Sequence, residues 1–188
     1  MNILSNIRNY SVLDSEIIQK IEFAKYNSRN FDINWKDNRF DFDNWSLLMY
    51  AVYYHRVKLV EYLLTYPDID INYASYGGTT ALHLAYCLPI LKILLSRKDL
   101  DVNRNQCVLL YYACSSNNIK IIRELLLDAR ANVIIRIDCG MTPRHIAIRN
   151  EHPEITNILK RTEYTSLLRI PNKTLLYDII RMIIEEYT

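Results

Sequence analysis

Residues 31–34 read FDIN, residues 69–72 read IDIN and residues 100–103 read LDVN. Each phrase comes shortly after an apolar stretch at helical spacing. Between and after the phrases lie segments that align with one another: SLLMYA at 46–51, TALHLA at 80–85, VLLYYA at 108–113 and TPRHIA at 142–147. With Ser46, Thr80, Val108 and Thr142 taken as equivalent, the spacings are 34, 28 and 34 residues. A unit of about thirty residues cannot bury its own apolar face, so a chain that repeats it must stack like modules in single file.

Local chemistry says what each module is. Ser46, Thr80 and Thr142 stand where a helix begins, with hydroxyls able to accept from exposed backbone N–H groups. Pro143 follows Thr142 at the first helical position, where a missing donor costs nothing. Second segments carry apolar residues at helical spacing: Val57, Leu59, Val60 and Leu63; Ile90, Leu91 and Leu94; Ile121, Ile122 and Leu125; Ile155, Ile158 and Leu159. Ala51, Ala85, Ala113 and Ala147 fall at one equivalent place, where a first helix must pass close to its neighbours. Each unit therefore reads as helix, tight turn, helix and extended loop, and the fold class is an all-α solenoid.

The segments Gly78-Thr79-Thr80-Ala81-Leu82-His83-Leu84-Ala85 and Gly140-Met141-Thr142-Pro143-Arg144-His145-Ile146-Ala147 resemble the ankyrin repeat, whose signature is T-P-L-H-x-A with a period near 33. The resemblance covers 42–161 well and 10–35 loosely. It implies one ankyrin-repeat domain over 1–188, built of helix-turn-helix units joined by hairpin-like loops, with helical caps at both ends. Its parts are a divergent capping unit (1–35), repeat 1 (42–72), a shortened repeat 2 (73–103), repeat 3 (104–134), repeat 4 (135–161) and a C-terminal cap (162–188). Helices are expected at 3–10 and about 14–27, and after Pro171.

Departures from the pattern carry their own expectations. Val108 cannot cap, and Gln106 stands where Gly78 and Gly140 stand. Arg130 replaces the glycine usual near a helix end, which weakens the Schellman-type stop. Repeat 2 has lost about three residues around Cys87-Leu88-Pro89, so its inner helix should be short, its outer helix should open at Pro89, and a notch should interrupt the inner wall. Arg144, in place of leucine, suits a unit near the end of an array.

Composition narrows the classes of function. A formal charge of +2 in 188 residues, without a lysine–arginine run, gives no footprint for nucleic acid. Apolar stretches are broken by charges well before membrane-spanning length, and no basic-then-apolar leader is seen at the N-terminus. Four cysteines follow no C-x-x-C or disulfide-framework pattern, pointing to reduced thiols in the cytoplasm or nucleus.

No phosphate-cradling, nucleophile-elbow or H-E-x-x-H motif occurs. His83 and Cys87 are four apart, as two ligands on one helix face would be, yet no second pair stands at suitable spacing for a metal-dependent enzyme. The resemblance gives His83 and His145 a structural role instead, their rings bonding the adjoining loop and tying neighbouring units together. His55 and His152 read as polar residues of the inter-helix turns. Asp70 and Asp101 read as backbone-bonding turn residues. No catalytic residue, metal or cofactor is expected.

What the resemblance implies is a partner protein bound along the concave side, at loop tips and inner-helix ends. Carried onto this chain, the contact positions are Phe42, Asp43, Trp45, Tyr53 and Tyr54 in repeat 1, and Tyr76 and Thr79 in repeat 2. Repeat 3 supplies Arg104, Asn105, Cys107, Ser115 and Ser116, and repeat 4 Asp138, Met141, Arg149 and Asn150. Interface energy concentrates in buried Trp, Tyr and Arg, which selects Trp45, Tyr53, Tyr54 and Tyr76, edged by Arg104 and Arg149. The competing role of Trp45 and Phe42 is to pack the long loop, and of Tyr53 to cap the core. The expected protein is a monomeric adaptor or competitive inhibitor. A dimer through the C-terminal helix and a ligase adaptor using an F-box-like segment from Ile170-Pro171 are the alternatives.

Overall fold

Each unit pairs a first helical segment with a second helix, but not with equal lengths. The structure is a computed structural model that describes residues 3–37, 44–104, 108–132, 136 and 140–168. These residues form two compact units, Met1–Leu109 and Leu110–Thr188. Among the described residues nine α-helices occur and the only β-pairing is two isolated bridges.

The first unit begins with α1 (Ile3–Arg8) and α2 (Asp14–Asn27), where the sequence places the divergent cap. Next come α3 (Leu47–Tyr53), α4 (Val57–Leu63), a single 3₁₀ turn (Leu82–Leu84) and α5 (Leu88–Ser96). Helix α3 buries six consecutive residues, Leu47 to Val52, because it is flanked by α1, α4 and the 3₁₀ turn. Lys36 pairs with Ser46 and Ala74 with Thr80 in isolated antiparallel bridges, the second of which closes a hairpin-like loop.

In the second unit, α6 (Val108–Ser115), which spans the division, precedes α7 (Ile119–Leu127), α8 (Pro143–Arg149) and α9 (Pro153–Leu168). Ile121, Ile122 and Leu125 of α7 and Ile155 and Leu159 of α9 supply its core. All four predicted alanines are buried.

Caps form as the hydroxyls dictate. Ser46 Oγ accepts from Met49 N–H at 3.3 Å and Thr80 Oγ1 from His83 N–H at 3.4 Å. In two units the bond is reciprocated by an imidazole: Thr80 N–H donates to His83 Nδ1 at 3.0 Å and Thr142 N–H to His145 Nδ1 at 3.1 Å. This is a capping box in which histidine takes the place of glutamate.

The inner helix of the shortened repeat 2 is short, as expected. It is reduced to three residues of 3₁₀ geometry, and Pro89 sits in the first turn of α5. The inter-helix turns of repeats 1, 3 and 4 each place one residue at positive φ: His55 at 56°, Asn117 at 55° and Glu151 at 57°. Repeat 2 has no such residue, since the deletion removes that turn. Left-handed backbone costs a residue with a Cβ about 1–2 kcal/mol, while glycine pays about 0.5–1 kcal/mol of extra chain entropy. Glu151→Gly, whose side chain has no hydrogen-bond partner among the described residues, is therefore expected to raise stability by about 0.5–1 kcal/mol, read as a midpoint shift in urea unfolding.

Helix α9 runs unbroken from Pro153 to Leu168, across the expected boundary between repeat 4 and the capping region at 161/162. Its continuity is supported by Arg144 of α8, whose Nε lies 3.0 Å from the largely buried Glu163 carboxylate. At Arg130, in keeping with the expected weakening of the glycine stop, no left-handed residue is used. Helix α7 ends in an extended Asp128, whose carboxylate accepts from Arg130 N–H at 2.9 Å and from its guanidinium at 2.6 Å. That guanidinium holds the Asp128 carboxyl below its ordinary range. Residues 105–107 and 169–188, which bear on the third unit's first turn and on the cap helix after Pro171, lie outside the described residues.

Candidate functional site

The recurrent phrase does its work through its final asparagine. Asn34 Nδ2 donates to Asp68 O at 2.7 Å while Asn34 Oδ1 accepts from Asp70 N–H at 2.8 Å. One unit further on, Asn72 repeats both bonds with Asp99 O (2.6 Å) and Asp101 N–H (2.7 Å). A side-chain amide matches a peptide group, donor to acceptor and acceptor to donor, so each loop is clamped to the next. Asp101 makes the expected Asx turn, accepting from Asn103 N–H at 3.1 Å, whereas the Asp70 side chain has no such bond among the described residues; Asp32, at the equivalent place, accepts from Asn34 N–H at 2.8 Å. Arg97 adds a further tie by donating to Leu64 O, at the end of the preceding outer helix, at 2.7 Å.

On this frame the ends of α1 and α3 gather aromatic rings. Trp45 stands edge-to-face with Tyr50 (centroids 5.5 Å) and with Tyr53 (5.2 Å). Tyr53 meets Tyr54 at 5.1 Å and 88°, and Tyr54 meets Tyr10 at 6.1 Å. Tyr50 is fully buried as the floor of the cluster, while Tyr10 is 71% exposed and Tyr53 45% exposed. Trp45 and Tyr54 are half-buried. Such edge-to-face contacts are worth about 0.5–1.5 kcal/mol beyond area burial, so the exposed rings are held in fixed orientations.

The floor is polar as well as aromatic. Tyr50 Oη donates to Asp37 Oδ2 at 2.7 Å and accepts from Arg8 at 3.4 Å. Burial and the Asp37 carboxylate push the Tyr50 phenol up to about 12. Arg8 also lies 5.4 Å from the Tyr50 ring centre, and Arg56 lies 5.5 Å from that of Tyr10.

Arg56 was hidden from sequence reasoning. Buried to 7% exposure, it donates to the carbonyls of Asn6, Ile7, Asn9 and Val12 and reaches Asp14 at 3.3 Å. It occupies an inter-helix turn, where the pattern predicts only something polar. No local signal says that its partners lie more than forty residues upstream. Tyr10 was missed for the same reason.

Of the predicted contact residues, the structure brings Trp45, Tyr53 and Tyr54 together. Tyr76 is 82% exposed at the tip of the repeat 2 loop and makes no ring contact with them among the described residues. Thr79 closes that loop through its carbonyl, which accepts from Ser75 N–H at 2.8 Å. Arg104 is exposed, and its carbonyl serves His83. In the second unit Asn150 Nδ2 is spent on Ser115 O and Oγ at 3.3 and 3.2 Å, with His152 Nε2 at 3.3 Å from the same carbonyl. Ser116 Oγ donates to Tyr112 O. Arg149 is exposed, with Nη1 3.8 Å from Met141 Sδ. Phe42, Asp43, Asn105, Cys107 and Asp138 lie outside the described residues, as does the F-box-like segment from Ile170.

The histidines divide in role. His83 is a buried tie, with Nε2 3.2 Å from Arg104 O. His145 completes its capping box but is exposed, and its only hydrogen-bond partner among the described residues is Thr142. Among the described residues no loop carbonyl lies opposite its Nε2, so the expected tie to a neighbouring unit is not seen there. A metal reading of His83 and Cys87 fails on geometry, since 85–87 are not helical and both ring nitrogens of His83 are engaged. Among the described residues no cluster of three His, Cys, Asp or Glu side chains could hold a metal ion, and no helix is long and apolar enough to cross a membrane.

A family model described as ankyrin repeats (3 copies) matches residues 15–106 and 87–167. A search of curated proteins finds no significant match to the chain.

Proposed function

We propose that this chain, which belongs to the ankyrin-repeat family, binds a partner protein through the exposed aromatic rings at the ends of α1 and α3 and performs no chemistry itself. Ankyrin repeats are in general protein–protein interaction modules. The observation that carries the placement is the ring series Tyr10–Tyr54–Tyr53–Trp45, ordered from beneath by the buried Tyr50 and open to solvent at Tyr53 and Tyr10. Clustered exposed aromatics held in place are the composition of interface hot spots. Arg104 and Tyr76, both exposed, are assigned supporting contacts in the same unit. Ser115, Ser116 and Asn150 are left to internal bonding. The biological role assigned is that of an adaptor or of a competitive inhibitor covering its partner's surface, in the cytoplasm or nucleus, as a monomer.

Affinity purification of the full chain followed by mass spectrometry names the partner, and titration of the purified pair measures the site. Tyr53→Ala is expected to weaken that binding at least tenfold, about 1.4 kcal/mol, with the far-UV spectrum unchanged. Unchanged affinity in both Tyr53→Ala and Tyr10→Ala would place the interface elsewhere.

A further inference from the structure

The peptide-recognition modes available to proteins each demand a different surface, and the ring series excludes most of them. Strand addition needs a free sheet edge, whereas the described residues offer only two isolated bridges. Recognition of an acidic or phosphorylated segment needs uncommitted arginines. The two arginines that lie over these rings are committed: Arg56 is neutralised by Asp14 and four carbonyls, and Arg8 is linked through the Tyr50 hydroxyl to the buried Asp37 carboxylate, which leaves the supporting Arg104 exposed at a distance from the ring series. A cationic ligand needs an empty aromatic cage. These rings touch at 5.1 and 5.2 Å, leaving no space between them, and Arg56 and Arg8 already lie over the Tyr10 and Tyr50 rings. An amphipathic helix needs an apolar trough between two helices, whereas the exposed rings here, Tyr10 after α1 and Tyr53 at the end of α3, carry polar tips. The hydroxyls of Tyr10, Tyr53 and Tyr54 make no hydrogen bond among the described residues, which leaves them as donors.

A polyproline II segment fits what remains. Its backbone has no internal hydrogen bonds, so its carbonyls are free to accept from phenols, and its proline rings pack on aromatic faces. One turn rises about 9 Å. Trp45 and Tyr54, strung through Tyr53, are no more than about 10 Å apart, so one turn spans the three rings. Because the cations beneath are compensated, the surface is complementary to an uncharged chain.

We infer that the partner segment gripped by Trp45, Tyr53 and Tyr54 is an uncharged, proline-containing stretch in the polyproline II conformation. This rests on the ring series being the docking site. The test is fluorescence anisotropy with the full chain against three labelled sets: uncharged decapeptides with proline at every third position, the same peptides with glycine for proline, and acidic or amphipathic helical peptides. Members of the first set should bind, glycine should weaken binding at least tenfold, and both Tyr53→Ala and the milder Tyr53→Phe should weaken it while the fold persists. Equal binding of proline and glycine sets, no binding by any proline peptide, or preference for acidic or helical peptides would overturn the inference. A helical peptide whose binding still depends on Tyr53 would leave the docking site standing, whereas partner capture indifferent to Tyr53→Ala and Tyr10→Ala would remove the site itself.

Discussion

Arg56→Met is expected to lower the stability of the protein by about 3–5 kcal/mol, the range for breaking a buried, fully bonded ion pair. The methionine keeps the volume of the aliphatic stem but strips donors from the carbonyls of Asn6, Ile7, Asn9 and Val12 and leaves Asp14 without its cation. Asn6 and Ile7 belong to the last turn of α1, and Asn9 follows it, where backbone carbonyls have no partner within the helix. Asp14, at the start of α2, also accepts from Leu59 N–H at 3.4 Å, so one guanidinium joins the turn before α4 to both helices of the N-terminal cap. Urea unfolding followed by far-UV circular dichroism measures the effect. Arg56→Lys should recover only part of the loss, because a single ammonium cannot reach all these acceptors at once. A loss below about 1 kcal/mol would show the network to be worth no more than an exposed ion pair.

His83→Ala is expected to cost about 2–3 kcal/mol, since it orphans the buried Thr80 N–H and the Arg104 carbonyl while leaving a small void. The same residue makes stability depend on pH. Burial holds its pKa below the ordinary 6.5, against the opposing pull of the Arg104 carbonyl. Nδ1 must stay unprotonated to accept from Thr80 N–H. The unfolded chain therefore takes up a proton that the folded chain resists. The stabilisation is complete above about pH 6.5 and is lost progressively as pH falls below that value toward the folded pKa. Unfolding midpoints at about pH 7.5 and about pH 5 should separate more in the wild type than in His83→Ala. Equal separations in the two proteins would assign the acid loss to other groups.

Much of the fold was legible because it is written between near neighbours. Ser46, Thr80 and Thr142 announce helix starts three residues ahead, and apolar spacing marks α4, α5, α7 and α9. The three residues missing near Pro89 foretell the loss of the inner helix of repeat 2. The repeated phrase also showed that loops recur, though its aspartates drew notice while its asparagines do the clamping. Of the candidate site, Trp45, Tyr53 and Tyr54 were identified because the repeat pattern places Trp45 on the loop before α3 and the tyrosines at its far end.

The sequence by itself thus determined the module, its period, its capped helix starts and the place where one module is cut short, since each depends on residues a few positions apart. Only the tertiary structure decided that Arg56 reaches Asn6 and Asp14, that Asn34 and Asn72 clamp the next loop, that Tyr10 joins the rings of α3, and that His83 has a second partner where His145 has none among the described residues. Those pairings join residues from about twenty to fifty positions apart. Which of them meet is set by how one module's surface seats on another, a property of packed surfaces that no local pattern encodes.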